Sequence, residues 1–393
     1  MKKPTLASFY SGCGGSALGF RNAGFKIVFM TDKDKDACKT LEENFKIEPK
    51  IGDIKKIRNF GHANVIEGGF PCQGFSVAGP RKKTRVKKKS KNRAYNYVEI
   101  NDDRNALYHY LKQAISLSEP DFFVAENVKG FVSIGEKPKK VYNKKLKKTV
   151  ERSPGPFFKD GKIVKLGKIA QGIITDLELD GRYVVKYELH NAKDFGIPQE
   201  RERIIIVGIR KDVAEKFEFK FPEPTHGPNS EEPYVTLESI REVKSKDEET
   251  FREKKENQDD YFGSRYMSRN RVKKWNELSF TIPAEAMQVP AQPDSKMWDT
   301  KDGNRPLELK DEDWAKKRKE YESKISKKLR RLSYKQCAKI QGFDEEWKFY
   351  PIKNATKDLI SKYRQIGNAV PPLLMQKVAE CIIPFYKGKK SSY

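Results

Sequence analysis

Leu6 to Tyr10 is a short apolar run that ends in Ser11-Gly12-Cys13-Gly14-Gly15, and from Ser16 to Ala23 the apolar residues take helical spacing. A strand, a tight glycine turn and a helix, in that order, commit this stretch to a layered α/β fold. The glycines let backbone approach a ligand, and the helix N-terminus then faces it. The turn matches neither G-x-G-x-x-G nor a Walker A loop with its lysine, so alone it names no ligand.

The alternation continues for about two hundred residues. Lys26 to Thr31 reads as a second strand ending in Asp32, with a helix through Ala37 and Leu41. Asn64 to Glu67 leads into Gly68-Gly69-Phe70-Pro71-Cys72-Gln73-Gly74-Phe75-Ser76, a lone cysteine where an apolar strand gives way to a glycine-bearing loop. Arg104 to Leu117 is helical in spacing, and Phe122 to Ala125 is a buried strand ending at Glu126-Asn127. Residues 134–165 lose periodicity and read as a basic inserted loop. A helix near Ile169 to Leu179 and a hairpin-like pair, Tyr183 to Leu189 and Arg203 to Ile209, complete residues 1–210 as a first domain. Residues 211–353, Pro-rich with short strands, read as a second domain. Residues 354–393, apolar and helical again, are expected to pack back onto the first.

Composition narrows the function. The formal net charge is +25, with nine basic residues between Arg81 and Arg93 and seven lysines between Lys137 and Lys148. Such density fits a phosphate-backbone partner, or a solvated lysine-rich surface. Five scattered cysteines without C-x-x-C argue against zinc and for a reducing cytoplasm. No apolar stretch approaches the length of a membrane span.

Several residue types suit chemistry. A thiol at an ordinary pKa of about 8.5 is only a few per cent thiolate at neutral pH, so Cys72 needs cationic or amide neighbours to become a nucleophile. Gln199, Arg201 and Arg203 share one face of a strand by the period of two. Glu126 ends an apolar strand, where a carboxyl is pushed toward its neutral form and suits general acid work. Asp32 and Asp53 follow strands, placed to accept from ribose hydroxyls and an adenine amino group, or to cap turns.

Taken in order, the glycine turn, Asp32, Asp53, Pro71-Cys72-Gln73, Glu126-Asn127-Val128 and Gln199-x-Arg201-x-Arg203 form a series. Arg330-Arg331-Leu332-Ser333, Cys337 to Phe343 and Gln365-Ile366-Gly367-Asn368-Ala369-Val370-Pro371 extend it. Across nearly its whole length the chain resembles the DNA (cytosine-5) methyltransferases. The resemblance implies a Rossmann-like α/β methyltransferase domain with a mainly parallel sheet, and a smaller mixed target-recognition domain across a DNA-binding cleft. It implies that S-adenosyl-L-methionine is the cofactor, S-adenosyl-L-homocysteine the product and double-stranded DNA the substrate, with no metal, in a cytoplasmic, nucleoid-associated monomer.

The resemblance makes Cys72 the nucleophile on carbon 6 of a flipped cytosine and Glu126 the group at the ring's endocyclic nitrogen. Arg203 orients the base, Arg201 supports the thiol loop and Asn127 positions its neighbours. Tyr10, Gly12, Gly14, Gly15, Asp32, Asp53, Ile54, Pro71, Asn368 and Val370 match cofactor positions, and Gln73, Ser76 and Arg104 match DNA contacts. Ser8 stands where the family usually has aspartate, Tyr10 where phenylalanine is usual and Lys33 where an aromatic is common. The basic run makes the Cys72–Arg104 separation about twice the usual length, read as extra phosphate contacts. Arg269, Asn270 and Arg271 resemble recognition residues of a GGCC-methylating subgroup, and arginine forks suit guanine. Ala286-Met287-Gln288 departs from that subgroup's Gly-Arg-Gln, so the expected target is a GC-containing site. An RNA-acting relative is the rival in chemistry, although it resembles a Pro-Cys-Gln-Pro-Phe-Thr loop. A catalytically silent DNA-binding module is the rival in kind, against which stand Cys72, Glu126 and both arginines.

Overall fold

The computed structural model describes residues 2–54, 57, 62–70, 107–134, 139–143, 148–152, 157–244, 271–293, 295, 330–350 and 356–388. Its centre is a seven-stranded sheet built from β1 (Thr5–Phe9), β2 (Lys26–Asp32), β3 (Lys50–Ile51), β4 (Val65–Gly68), β5 (Phe122–Val128), β10 (Tyr183–Asn191) and β11 (Glu202–Arg210). The spatial order is β10-β11-β5-β4-β1-β2-β3. Neighbours from β5 through β3 pair parallel, and the β10–β11 hairpin adds antiparallel to β5. The chain therefore winds outward from β1 to β3, then returns to place β4 on the other side of β1. The carboxyl ends of β1 and β4 flank the crevice where winding reverses, the place where open α/β sheets bind ligands.

Both faces of the sheet are covered, as parallel strands require. Ala7, Phe9, Ile66, Phe123 and Ile206 pack against α3 (Tyr108–Ser118) and α4 (Lys168–Leu177) through Leu111, Ile115, Ile173 and Leu177. Leu6, Val65, Phe122, Val124 and Ile205 face α1 (Gly15–Asn22) and the C-terminal α8 (Pro372–Tyr386) through Phe20, Met375, Val378 and Ile382. Each fully buried side chain of this kind stabilises by about 1.5–3 kcal/mol. Alternating residues of one strand thus serve opposite layers, which is the period of two made physical. Asp34 starts α2 (Lys35–Phe45) by accepting from the Asp36 and Ala37 amides at 3.0 and 3.4 Å.

A third cluster joins the second region to the first. Cys13 and Leu18 pack with Leu237, Ile240, Ile282, Leu332, Ile340, Phe343 and Tyr363. These come partly from α6 (Tyr334–Gln341), opened by a Ser333–Gln336 capping box, and α7 (Thr356–Asn368). The break between α7 and α8 falls at Ala369–Pro371, where proline restricts the preceding residue and its own amide is missing.

Two expectations differ. The stretch 134–165, read as a loop, contains β6 (Lys139–Asn143) paired with β7 (Lys148–Arg152), and β8 (Phe158–Lys159) paired with β9 (Lys162–Ile163). The antiparallel register sets Val141 against Val150 and Tyr142 against Thr149, a backbone ladder that the lysine-rich composition of the stretch hides. Beyond Arg210, where short strands were expected, the described residues form isolated bridges, such as Ala291 with Arg331, and short 3-10 turns. The short helix α5 (Lys211–Ala214) follows β11 directly. Among the described residues no helix is long and apolar enough to cross a membrane.

Candidate active site

On one face of the sheet, at the carboxyl edge, Ser8 of β1, Glu67 of β4, Glu126 of β5 and Arg203 of β11 form a polar row. The register places Ser8 beside Glu67 and Glu126 beside Ile205, two residues from Arg203. Arg203 Nε lies 2.6 Å from Glu126 Oε1, with both side chains more than four-fifths buried. Arg203 Nη1 also donates to the Glu202 carbonyl at 2.7 Å, which fixes the guanidinium plane. The carboxylate expected in apolar surroundings is thus paired with a cation. Gly69 leaves it room, since a Cβ there would stand 3.1 Å from Glu126 Oε2.

Asn127 is buried and donates through Nδ2 to the Phe70 carbonyl at 3.3 Å. The Val128 amide donates to Asn127 Oδ1 at 3.0 Å, so the side chain is held at both ends. It thereby ties β5 to the segment that leaves β4, two residues before Cys72 in the chain. Cys72 itself, with Pro71, Gln73, Ser76, Arg104, Arg269 and Asn270, lies outside the described residues. The four described cysteines are all buried. Burial pushes the Cys13, Cys38 and Cys381 thiols up to about 12 and raises Cys337 as well. None of them is suited to attack.

Arg201 shares a strand neighbourhood with Arg203 but not its surroundings. It precedes β11 and is buried, and its guanidinium donates to the carbonyls of Ile282 (3.2 Å), Gly367 and Ala369 (both 2.9 Å). Gln199 is likewise engaged, donating to Gln341 Oε1 at 2.7 Å and accepting from the Ile282 amide at 2.8 Å. These side chains lock the second region and the α7–α8 junction to the sheet. Arg271 Nη1 and Nη2 reach the Gln288 carbonyl and Oε1 at 3.1 and 3.3 Å, so its fork is held by its own chain.

The crevice between β1 and β4 has the features of an adenosine site. Tyr10, at φ +54°, presents a ring whose hydroxyl donates to the Leu107 carbonyl at 2.7 Å. Burial, with the nearby Asp53 carboxylate adding to it, raises its phenol. Gly12, at φ +53°, has open space where a Cβ would stand, and its amide donates to Asp32 Oδ2 at 2.8 Å. Asp32 Oδ1 accepts from the Asp34 amide at 2.9 Å, and burial pushes this carboxyl upward against those hydrogen bonds. Gly14 caps α1 in the left-handed region. A Cβ on Gly15 would run into the Val370 carbonyl, so the close approach of α1 to the α7–α8 junction requires glycine. Ile54 is buried in the core, Asn368 ends α7 exposed and Val370 is half-buried. Aromatic ring, paired carboxylates and open backbone fit a nucleoside with ribose hydroxyls.

One residue escaped the sequence reading. Glu67 is 3% exposed, and its oxygens take hydrogen bonds from Ser8 Oγ and, at 2.8 Å, from Ser16 Oγ at the start of α1. A glutamate inside an otherwise apolar strand, just before the cysteine loop, was the available signal.

The profile of the C-5 cytosine-specific DNA methylases matches residues 5–151 and 162–384. The chain is 32% identical to the type II methyltransferase M.BsuRI of Bacillus subtilis, over 97% of this chain and 79% of that protein. It is also 32% identical to the type II methyltransferase M.MthTI of Methanothermobacter thermautotrophicus, over 96% of each. Among solved structures, a DNA modification methyltransferase encoded within an E. coli prophage superposes with a TM-score of 0.60 at 17% identity, covering 98% of this chain and all of that one. That likeness concerns the fold, whereas the profile and the curated relatives concern the chemistry. The chain belongs to the C-5 cytosine-specific DNA methylase family, and its reaction is methyl transfer to carbon 5 of cytosine in DNA.

Proposed function

We propose that the methylation proceeds through a covalent bond from Cys72 to carbon 6 of a cytosine flipped out of duplex DNA, with S-adenosyl-L-methionine as donor. The observation that carries this reading is the Glu126–Arg203 pair, fixed on β5, which lies beside β4, and on β11 next to it, while the chain of β4 runs on into Pro71-Cys72. Flipping costs a few kcal/mol, which contacts to the extruded base must offset. Cys72 Sγ adds to carbon 6 and drives electron density toward carbon 5. Glu126 meets the endocyclic nitrogen, so negative charge does not accumulate there, and Arg203 faces the ring's carbonyl oxygen. After methyl transfer, the carbon 5 proton leaves and Cys72 is expelled. Asn127, bound to the Phe70 carbonyl, positions the chain that carries the thiol.

Tyr10, Gly12, Gly14, Gly15, Asp32, Asp53, Ile54, Asn368 and Val370 would hold the cofactor, which supplies an electrophilic methyl on a sulfonium centre. Tyr10 would stack on the adenine and Asp32 accept from the ribose. Pro71, at the start of the thiol loop, is assigned with them to the cofactor, and Gln73, Ser76, Arg104, Arg269, Asn270 and Arg271 to the DNA. The target is a GC-containing duplex site, with GGCC the first to try. The names of the relatives suggest the modification half of a restriction–modification pair, acting as a monomer.

The test uses labelled S-adenosyl-L-methionine and duplex DNA carrying 5-fluorocytosine, where the missing carbon 5 proton traps the adduct. A denaturation-stable adduct is expected with the wild type and none with Cys72→Ser. An adduct that survives the substitution refutes the assigned nucleophile, and one formed on tRNA but not on duplex DNA refutes the substrate.

A further inference from the structure

Glu67 has no place in the mechanism above, yet it sits at its centre. It is the last residue but one of β4 and is hydrogen-bonded to Ser8, the last but one of β1, so its carboxyl bridges the two strands at the floor of the crevice where the sheet's winding reverses. The acids suited to the nucleoside lie on the β2–β3 side, at Asp32 and Asp53. The groups suited to the base lie on the β5–β11 side, at Glu126 and Arg203. A methyl group passing from one ligand to the other must therefore cross over β1 and β4, above Glu67.

We propose that Glu67 is a positioning residue that senses charge beneath the cofactor, its carboxylate favouring the cationic sulfonium donor over the neutral thioether product. The idea rests on reading the crevice as the cofactor site. Glu67 forms no bond to either ligand. In the transfer, the sulfur–methyl bond breaks, its electron pair stays on sulfur, and carbon 5 gains the methyl. One positive charge thus leaves the crevice, and Glu67 compensates by taking a proton from solvent.

The surroundings suit both protonation states. The ionised carboxylate accepts from Ser8 and Ser16. When protonated it donates to Ser8 Oγ, which frees the Ser8 hydroxyl to donate to Ser11 Oγ, 2.7 Å away, while Ser11 donates to the Ser8 carbonyl at 3.0 Å. Ser11 belongs to the glycine turn itself. The groups around Glu67 are Ser8 from β1, with Ser11 behind it, Ser16 from α1 and, on the neighbouring β5, the Glu126 carboxylate already paired with Arg203. Burial pushes Glu67 up to about 7, with Glu126 adding to it and both serines opposing. Small changes in nearby charge therefore change its protonation at neutral pH.

The test is calorimetric binding of S-adenosyl-L-methionine and S-adenosyl-L-homocysteine, without DNA, at pH 6 and pH 8. The amino and carboxyl groups common to both ligands cancel in the ratio of the two dissociation constants. For the wild type this ratio should move toward the methionine form by roughly five- to tenfold between pH 6 and pH 8, a size set by one partly screened charge pair. Glu67→Gln should hold the ratio constant. Ser16→Ala, which keeps the acid but removes a hydrogen bond to its ionised form, should move the transition to higher pH. A wild-type ratio independent of pH, or a dependence that survives Glu67→Gln, overturns the proposal with the cofactor site intact. Failure of the wild type to bind either ligand overturns the cofactor reading itself.

Discussion

Glu126 and Arg203 constrain each other before any base arrives. A carboxylate 2.6 Å from a guanidinium, with both groups largely buried, is held in place by charge and geometry together. A neutral amide in its place can still touch the base but cannot deliver a proton. Glu126→Gln should therefore lower kcat by roughly 10²–10⁴-fold, the usual worth of a placed acid. Binding of the cofactor alone should hardly change, and a fall in cofactor affinity matching the fall in kcat would refute the assignment. Both residues were legible in the sequence because each sits at the end of an unambiguous apolar strand. Glu67 was not, because its meaning depends on Ser8 and Ser16, which lie 59 and 51 residues away.

At the scale of elements, Arg201 shows where periodicity stops being a guide. Counting by two put it on the same strand face as Arg203, but β11 begins only at Glu202, so the alternation does not extend back to it. Its guanidinium instead gathers three carbonyls from the Ile282 segment and the α7–α8 junction. The motif was visible, whereas the receiving carbonyls, more than eighty residues distant, were not. Arg201→Met would strip those carbonyls of donors in a dry setting, at about 1–3 kcal/mol for each group left unsatisfied. We expect a total loss of about 3–5 kcal/mol in urea unfolding. Because Val370 is carried on the same junction, cofactor affinity should weaken as well. A variant as stable as the wild type would show that these bonds are not structural. The pairing of β6 with β7 was hidden for a related reason, since it is a backbone register between two strands and not a property of either strand's composition.

For the whole molecule, charge and the alternation of strands and helices were the legible quantities. The alternation of strands and helices implied a layered sheet, but the position of β4 beside β1, and hence the floor of the crevice, depends on topology. That topology leaves two buried titratable groups with opposite effects on stability. His190, 5% exposed and packed against Phe195 and Phe221, is lowered by burial from 6.5 to about 4. The unfolded chain takes up a proton below 6.5 that the folded chain refuses, so stability falls as pH drops from 6.5 toward 4. Glu67 is raised from 4.5 to about 7, so its contribution is full below 4.5 and is lost as pH rises through 7. Between pH 4.5 and 6.5 the two slopes oppose each other. Single substitutions should separate them. His190→Leu should gain about 2 kcal/mol more, relative to wild type, at pH 5 than at pH 8, from about 1.4 kcal/mol per pH unit. Glu67→Gln should show the reverse, gaining about 2–3 kcal/mol more at pH 8 than at pH 5. Urea unfolding of the three proteins at both pH values decides the matter. Parallel shifts at the two pH values would mean that neither group is held away from its unfolded protonation, and the crevice floor would then be wetter than its packing requires.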